Sequence, residues 1–113
     1  MSDLEGPPPD YHLLLEPDEV LAASSALRLL ISDEAHEPDI RALGREVIDG
    51  LTAAPDERGR ITLTLAPTQM KITHSAVRLL LNDLQREQAD EREVLWRILG
   101  KLPDEHVMRA IEI

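Results

Sequence analysis

Ser25-Ala-Leu-Arg-Leu-Leu-Ile-Ser-Asp33 and Ser75-Ala-Val-Arg-Leu-Leu-Leu-Asn-Asp83 are two versions of one stretch, written fifty residues apart. The likeness runs outward without a gap: Leu13, Leu15 and Pro17 answer to Leu63, Leu65 and Pro67, and Glu37 answers to Glu87. One strand-plus-helix unit used twice accounts for this, and the remaining elements arrange themselves around it.

Placed on a helical wheel at about 100° per residue, the first stretch puts Val20, Ala23, Leu27, Leu30 and Ile31 on one face, with Ala22, Ala26 and Leu29 over much of the other. Only a narrow strip is polar: Ser25, Arg28 and Ser32 in the first stretch, Lys71, Ser75, Arg78 and Asn82 in the second. A helix apolar over most of its circumference is buried on more than one side. These two are expected as the central helices, starting at Pro17-Asp18-Glu19 and Pro67-Thr68-Gln69 and reaching about Ala35 and Gln85. Proline in the first turn and acids near the positive end of the helix dipole are start signals.

Each central helix follows a short strand. Ile61-Thr-Leu-Thr-Leu65 alternates, so threonine and leucine fall on opposite faces. Tyr11 to Glu16 does not alternate at Leu13, Leu14 and Leu15, so both of its faces are expected to be covered. Pro38-Asp39 opens a further helix with one apolar stripe, Ile40, Leu43, Val47, Ile48 and Leu51. Its counterpart carries Val94, Leu95, Ile98, Leu99 and Leu102, at an offset of fifty-one, which predicts one extra residue around Gln88 to Asp90. No proline or glycine marks that joint, and Leu84 and Leu95 keep phase, so one helix from Thr68 to Gly100 is an alternative. Gly50 and Gly100 read as stop signals. The tail, Pro103-Asp104-Glu105 onward, reads as a third short strand through Ile111 and Ile113, or as a short helix over Asp104–Ile111.

The expected fold is α+β and helix-dominated, an internally duplicated β-α-α unit (β-α-α-β-α-α, with room for a short C-terminal strand) related by a pseudo-two-fold. It is read as one domain over 1–113: a flexible lead-in 1–10, repeats over about 11–54 and 61–102, and a tail 103–113. Strands of five residues want partners, either each other across the pseudo-two-fold or those of a second subunit. With the unusually apolar central helices, this predicts a homodimer.

Composition limits the function. There is no cysteine, which excludes disulfides, thiolate metal sites and a cysteine nucleophile. No apolar run approaches the ~20 residues of a membrane span, and Met1-Ser-Asp-Leu-Glu lacks the basic start of a signal peptide. A cytoplasmic protein without membrane contact is expected, and ten Arg against two Lys fits a GC-rich bacterial genome. Aromatic residues are 2% of the chain, which argues against base-stacking platforms. The net charge is −10, and residues 1–57 hold fourteen acids against three arginines. Such a surface repels a phosphate backbone, so no nucleic-acid partner is expected; it keeps a protein soluble or faces a basic one.

Candidate chemistry is sparse. Arg28 and Arg78 recur in the most apolar part of each unit, flanked by Ser25 and Ser75 and by Ser32 and Asn82. Two such guanidinium groups with hydroxyl neighbours form a clamp for a carboxylate or phosphate in a cleft at the pseudo-symmetry axis. Equally, each arginine could pair with an acid of the next helix or lay its stem along the core edge. Asp33, His36 and Asp39, at i, i+3 spacing, have the oxygen and nitrogen ligands of a divalent-metal site; an acidic loop between two helices explains them as well. The other histidines, His12, His74 and His106, are scattered. No catalytic residues and no cofactor are indicated: there is no nucleophile elbow and no phosphate-binding glycine loop. Trp96 reads as a core-edge anchor or a dimer contact. The reading that follows is a non-catalytic protein acting through protein–protein contacts, with a small-ligand binder or minor enzyme, and an acidic inhibitor of a basic partner in the manner of immunity proteins or antitoxins, as its rivals.

Overall fold

Two prolines set the frame: Pro17 and Pro67 each end a strand and open a helix in its first turn. The structure, a computed structural model, describes residues 10–33, 35–85, 87–103 and 105–111. Its elements run β1 (Tyr11–Leu15), α1 (Pro17–Ser32), α2 (Pro38–Leu51), β2 (Ile61–Leu65), α3 (Pro67–Asp83), α4 (Ala89–Lys101) and α5 (Glu105–Arg109). The fold is α+β and dominated by helices, with a two-stranded antiparallel sheet. The lead-in, apart from its last residue, lies outside the described residues.

The strands pair with each other. Leu13 faces Leu63, two residues fifty apart, and the flanking pairs Tyr11–Leu65 and Leu15–Ile61 exchange under the same offset. Leu13, Leu15, Ile61, Leu63 and Leu65 are buried beneath the helices, while His12, Leu14, Thr62 and Thr64 face outward. The expectation that β1 is covered on both faces is thus corrected. Leu14 is 41% exposed, because a sheet with helices on one side buries only every second residue of each strand.

α1 and α3 pack against each other, α2 against both, and α4 likewise against both. At the crossing stand Ala23, Ala26 and Leu27 of α1 and Thr73, Ala76 and Val77 of α3, three positions used at the same fifty-residue offset and all without exposure. Small side chains there let the two helices approach, and each fully buried aliphatic side chain contributes about 2 kcal/mol. The hydroxyl of Thr73 donates to the Gln69 carbonyl at 2.9 Å, so its burial leaves no polar atom unmatched. At the N-termini Glu19 and Gln69 do one job: the side-chain Oε1 accepts the N–H of Glu16 at 2.7 Å and of Ala66 at 2.9 Å.

The helix ends differ from the expectation. α1 stops at Ser32, short of Ala35, and α3 stops at Asp83. α3 and α4 are two helices, not one over Thr68 to Gly100. The break needs no glycine because side chains satisfy the loose backbone groups. Arg92 of α4 reaches back to the carbonyls of Leu81 and Leu84 at 3.0 and 3.4 Å, and the Gln88 side chain accepts the Gln85 N–H at 2.9 Å. Arg41 of α2 does the same for α1, its Nε donating to the Ile31 carbonyl at 2.8 Å. Pro38 and Ala89, fifty-one apart, open α2 and α4.

Gly50 and Gly100 lie inside their helices and take no left-handed φ. Gly50 instead lets α2 close on β2, since a Cβ there would stand 3.0 Å from Leu63 Cδ2. Among the described residues the left-handed glycine is Gly59 (φ 78°), in the turn where the Asp56 carboxylate accepts the N–H groups of Arg58 and Arg60 at 2.9 and 2.8 Å. Over the described residues the tail forms the helix α5, with Met108 buried and α5 packed on α3, and no third strand; Ile113, where that strand was expected to end, lies outside the described residues. Trp96, expected as a core-edge anchor or a dimer contact, lies on α4 and is 54% exposed.

Candidate functional site

Two grooves flank the crossing of α1 and α3. The first, a cavity of about 440 Å³, lies between the N-terminal half of α1, the end of α3 and the start of α4. Leu80, Leu84, Val94 and Leu95 form its floor and Leu21 its lip. Leu21 is 72% exposed, the most solvent-accessible of the large apolar side chains among the described residues. Asp18, Asp90 and Glu91 form the rim. Asp18 pairs with Arg97, whose guanidinium is held above its usual range chiefly by that hydrogen bond. Asp90 and Glu91 make no ion pair among the described residues; they stand in the first turn of α4, where the helix dipole favours them.

The second groove, about 410 Å³, lies at the corresponding place on α3. Lys71, Ser75 and Leu30 line it where Leu21, Ser25 and Leu80 line the first, again fifty positions apart. His74, Arg78, Asn82 and Leu79 of α3 continue its wall, His36 adds to it after α1, and Met108 and Arg109 of α5 close one side. Lys71 donates to the Ile111 carbonyl, which ties the ammonium to the tail. His36 donates from Nδ1 to the Leu30 carbonyl at 3.0 Å, because a carbonyl can only accept.

Of the residues the sequence marks as a clamp, Ser75, Arg78 and Asn82 come together in the second groove, while Ser25 lines the first. Arg28 is exposed on α1, and Ser32 donates to the Leu29 carbonyl at 2.9 Å; neither lines a groove with the others. His36 Nδ1 stands 3.9 Å from Asp33 Oδ2, but among the described residues no three His, Asp or Glu gather as a metal site with Asp33, His36 or Asp39. His12 Nδ1 lies 3.2 Å from Thr64 Oγ1 across the sheet. The side chain of His106 lies outside what is described. No described helix is long and apolar enough to cross a membrane.

Three features escaped the sequence reading. Arg41 and Arg92 cap the helices ahead of them, and the fifty-one-residue offset already used for Val47 and Ile98 would have paired them. Glu19 is fully buried: its Oε1 accepts from Lys101, and its Oε2 has no hydrogen-bond partner among the described residues. Lys101 also donates to the Leu14 carbonyl at 3.0 Å, and its own carbonyl accepts the Tyr11 hydroxyl. Nothing local marks this network, since Lys101 lies more than eighty residues from Tyr11, Leu14 and Glu19. His74 and Arg109 join the second groove only because α3 turns one face to it and α5 folds against that face. Comparison of the chain with models of known families, with characterised proteins and with solved structures finds no match.

Proposed function

We propose that this is a non-catalytic interaction protein, built from a duplicated β-α-α unit, which receives a basic amphipathic helix of a partner protein in the first groove. The observation that carries the reading is Leu21, 72% exposed at the lip of an apolar floor that acids surround. The helix dipole accounts for Asp90 and Glu91 at the start of α4. It does not account for a leucine held in water beside Leu80, Leu84 and Val94. An amphipathic helix fills such a groove with apolar residues at i, i+3/i+4 and i+7. Lysines and arginines at the edges of that helix would meet the acidic rim, and a net charge of −10 steers them in. Descent of both halves from one unit fits the register in which Leu13 faces Leu63. The homodimer is the competing occupant: two copies meeting at this groove would bring two acidic rims together, which favours the basic partner.

The test uses two amphipathic helical peptides with the same leucine stripe, one carrying lysines on its polar face and one carrying glutamates, read by fluorescence anisotropy. Binding of the lysine peptide only is expected, weakening about tenfold or more between low and high salt as rim charges are screened. Leu21→Glu separates groove from general attraction. It adds a negative charge, so non-specific binding would rise, whereas groove binding falls at least about tenfold because a buried anchor is lost. Equal binding of both peptides, or no effect of Leu21→Glu, overturns the reading. A dimer seen by light scattering and abolished by Leu21→Glu assigns the groove to a second copy instead.

A further inference from the structure

We propose that the second groove, between α3, His36 and α5, binds a small, multiply charged oxyanion: a phosphate ester or a polycarboxylate. The donors come from one face of one helix. Lys71, His74, Ser75, Arg78 and Asn82 stand at i, i+3, i+4, i+7 and i+11, a stripe about 16 Å long at 1.5 Å per residue, and all five line the cavity. Arg109 of α5 and His36 after α1 complete it.

Lys71, Arg78, Arg109 and two histidines thus line a cavity of about 410 Å³, and among the described residues no carboxylate lines it. The chain as a whole has 22 acids against 12 Lys and Arg, so interspersed charges would be the ordinary arrangement. Lys71 and Arg78 share one helix face and neither pairs with a carboxylate among the described residues; like charges so placed raise each other's energy, and a dianion between them removes that repulsion. The fold does not demand the arrangement either: at the position of Lys71 the corresponding groove holds Leu21, on the same kind of helix beside the same serine and leucine.

The donors are also suited in kind and in posture. Arg78 makes no hydrogen bond or ion pair among the described residues, so its planar fork of N–H groups is open to a ligand, and such a fork matches carboxylate and phosphate oxygens two at a time. Lys71 gives one N–H to the Ile111 carbonyl and keeps two, on an ammonium already drawn to the wall. Ser75 and Asn82 add a hydroxyl and an amide. Asp33 and Asp83 line a neighbouring hollow that shares Leu79 and Asn82 with this groove. They place the anion at the Lys71–Arg78 end. The size of the cavity and the net charge of −10 limit the ligand to a small molecule, since a polyanion would extend into a repelling field.

The experiment is a titration of the full chain with pyrophosphate and, separately, with citrate, followed by two-dimensional amide NMR and calorimetry against sodium chloride at equal ionic strength. The expected result is saturable binding of at least one of the two, with amide shifts concentrated over residues 71–82 and around Arg109. The better of the two ligands tells a phosphoryl from a carboxylate source. Arg78→Gln should weaken binding about tenfold or more, as the loss of a charge-assisted pair does. Arg28→Gln removes the same charge from the corresponding helix and should change affinity less than about twofold, because exposed charges away from the site act only through a screened field. Lys71→Met gives a second loss on the same wall, and an unchanged amide spectrum of each variant certifies its fold. Shifts no different from those of chloride, or equal weakening by Arg78→Gln and Arg28→Gln, overturn the proposal.

Discussion

The two grooves of this molecule occupy corresponding places and offer opposite chemistry. Each lies beside one of the two crossed helices, with a serine (Ser25 or Ser75) on its wall and a leucine (Leu80 or Leu30) of the other helix beneath. One has an exposed leucine and an acidic rim; the other has a lysine, two arginines and two histidines. The crossing keeps its burial at all three positions and changes only among small and aliphatic side chains and one threonine, Ala23, Ala26 and Leu27 against Thr73, Ala76 and Val77. Packing constrains side chains that fill the centre, and a change of volume there is felt at once. A side chain on a groove wall is free to change charge without unfolding anything. The same contrast appears at the helix starts: Gln69 accepts a backbone N–H as a neutral amide, while Glu19 does so as a buried acid answered by Lys101.

That last difference gives the largest expected effect outside the two binding tests. Lys101→Met leaves the Glu19 carboxylate enclosed without its cation and should cost about 3 kcal/mol in urea unfolding, the scale of breaking one side of a buried pair. Adding Glu19→Gln should recover most of it, because the second half already works with glutamine at that place. A loss below about 1 kcal/mol, the worth of a surface pair, would mean that the two helix starts are energetically alike.

Next come the arginines that cap the central helices. Arg41→Ala and Arg92→Ala should each cost about 1–2 kcal/mol, since each removes a charged donor from carbonyls at a helix end. Near-equal losses are expected; a large inequality in thermal unfolding would show that the two joints differ in energy although an arginine caps each.

The smallest effect lies in the turn that joins the halves. The Asp56 carboxyl is held below the usual carboxylate range, chiefly by the Arg60 backbone N–H and further by that of Arg58 and the Arg60 guanidinium. A lowered value in the folded state means stability that is fully present above the unfolded value near ~3.9 and lost as pH falls through the folded one. The stability difference between the natural chain and Asp56→Asn should therefore be present at neutral pH and shrink in acid. A difference that does not change with pH would locate the effect in turn geometry and not in charge.

Much of this fold was legible. Alternation over Ile61–Leu65, the prolines at 17, 38 and 67, and the wheel of α1 and α3 each follow from the period of one element, and one element is what a short window of sequence reports. Leu14 was misread because coverage of a strand depends on what packs above it. The tail reads as strand or helix alike, because Ile111 suits either until α3 supplies a surface. At the candidate site the polar strip Lys71-Ser75-Arg78-Asn82 was visible as a strip. Its separation from Arg28 was not, since the two strips are alike in sequence and only α5 distinguishes their surroundings.

By itself, the sequence determined which segments coil, which extend and which residues fill the centre, because those follow from spacing and from the exclusion of apolar groups from water. Tertiary structure alone decided which polar side chains share a cavity, and so which groove carries which charge. Residues such as Leu21 with Asp90, or Lys71 with Arg109, meet only after helices distant along the chain have packed, and no local period records that meeting.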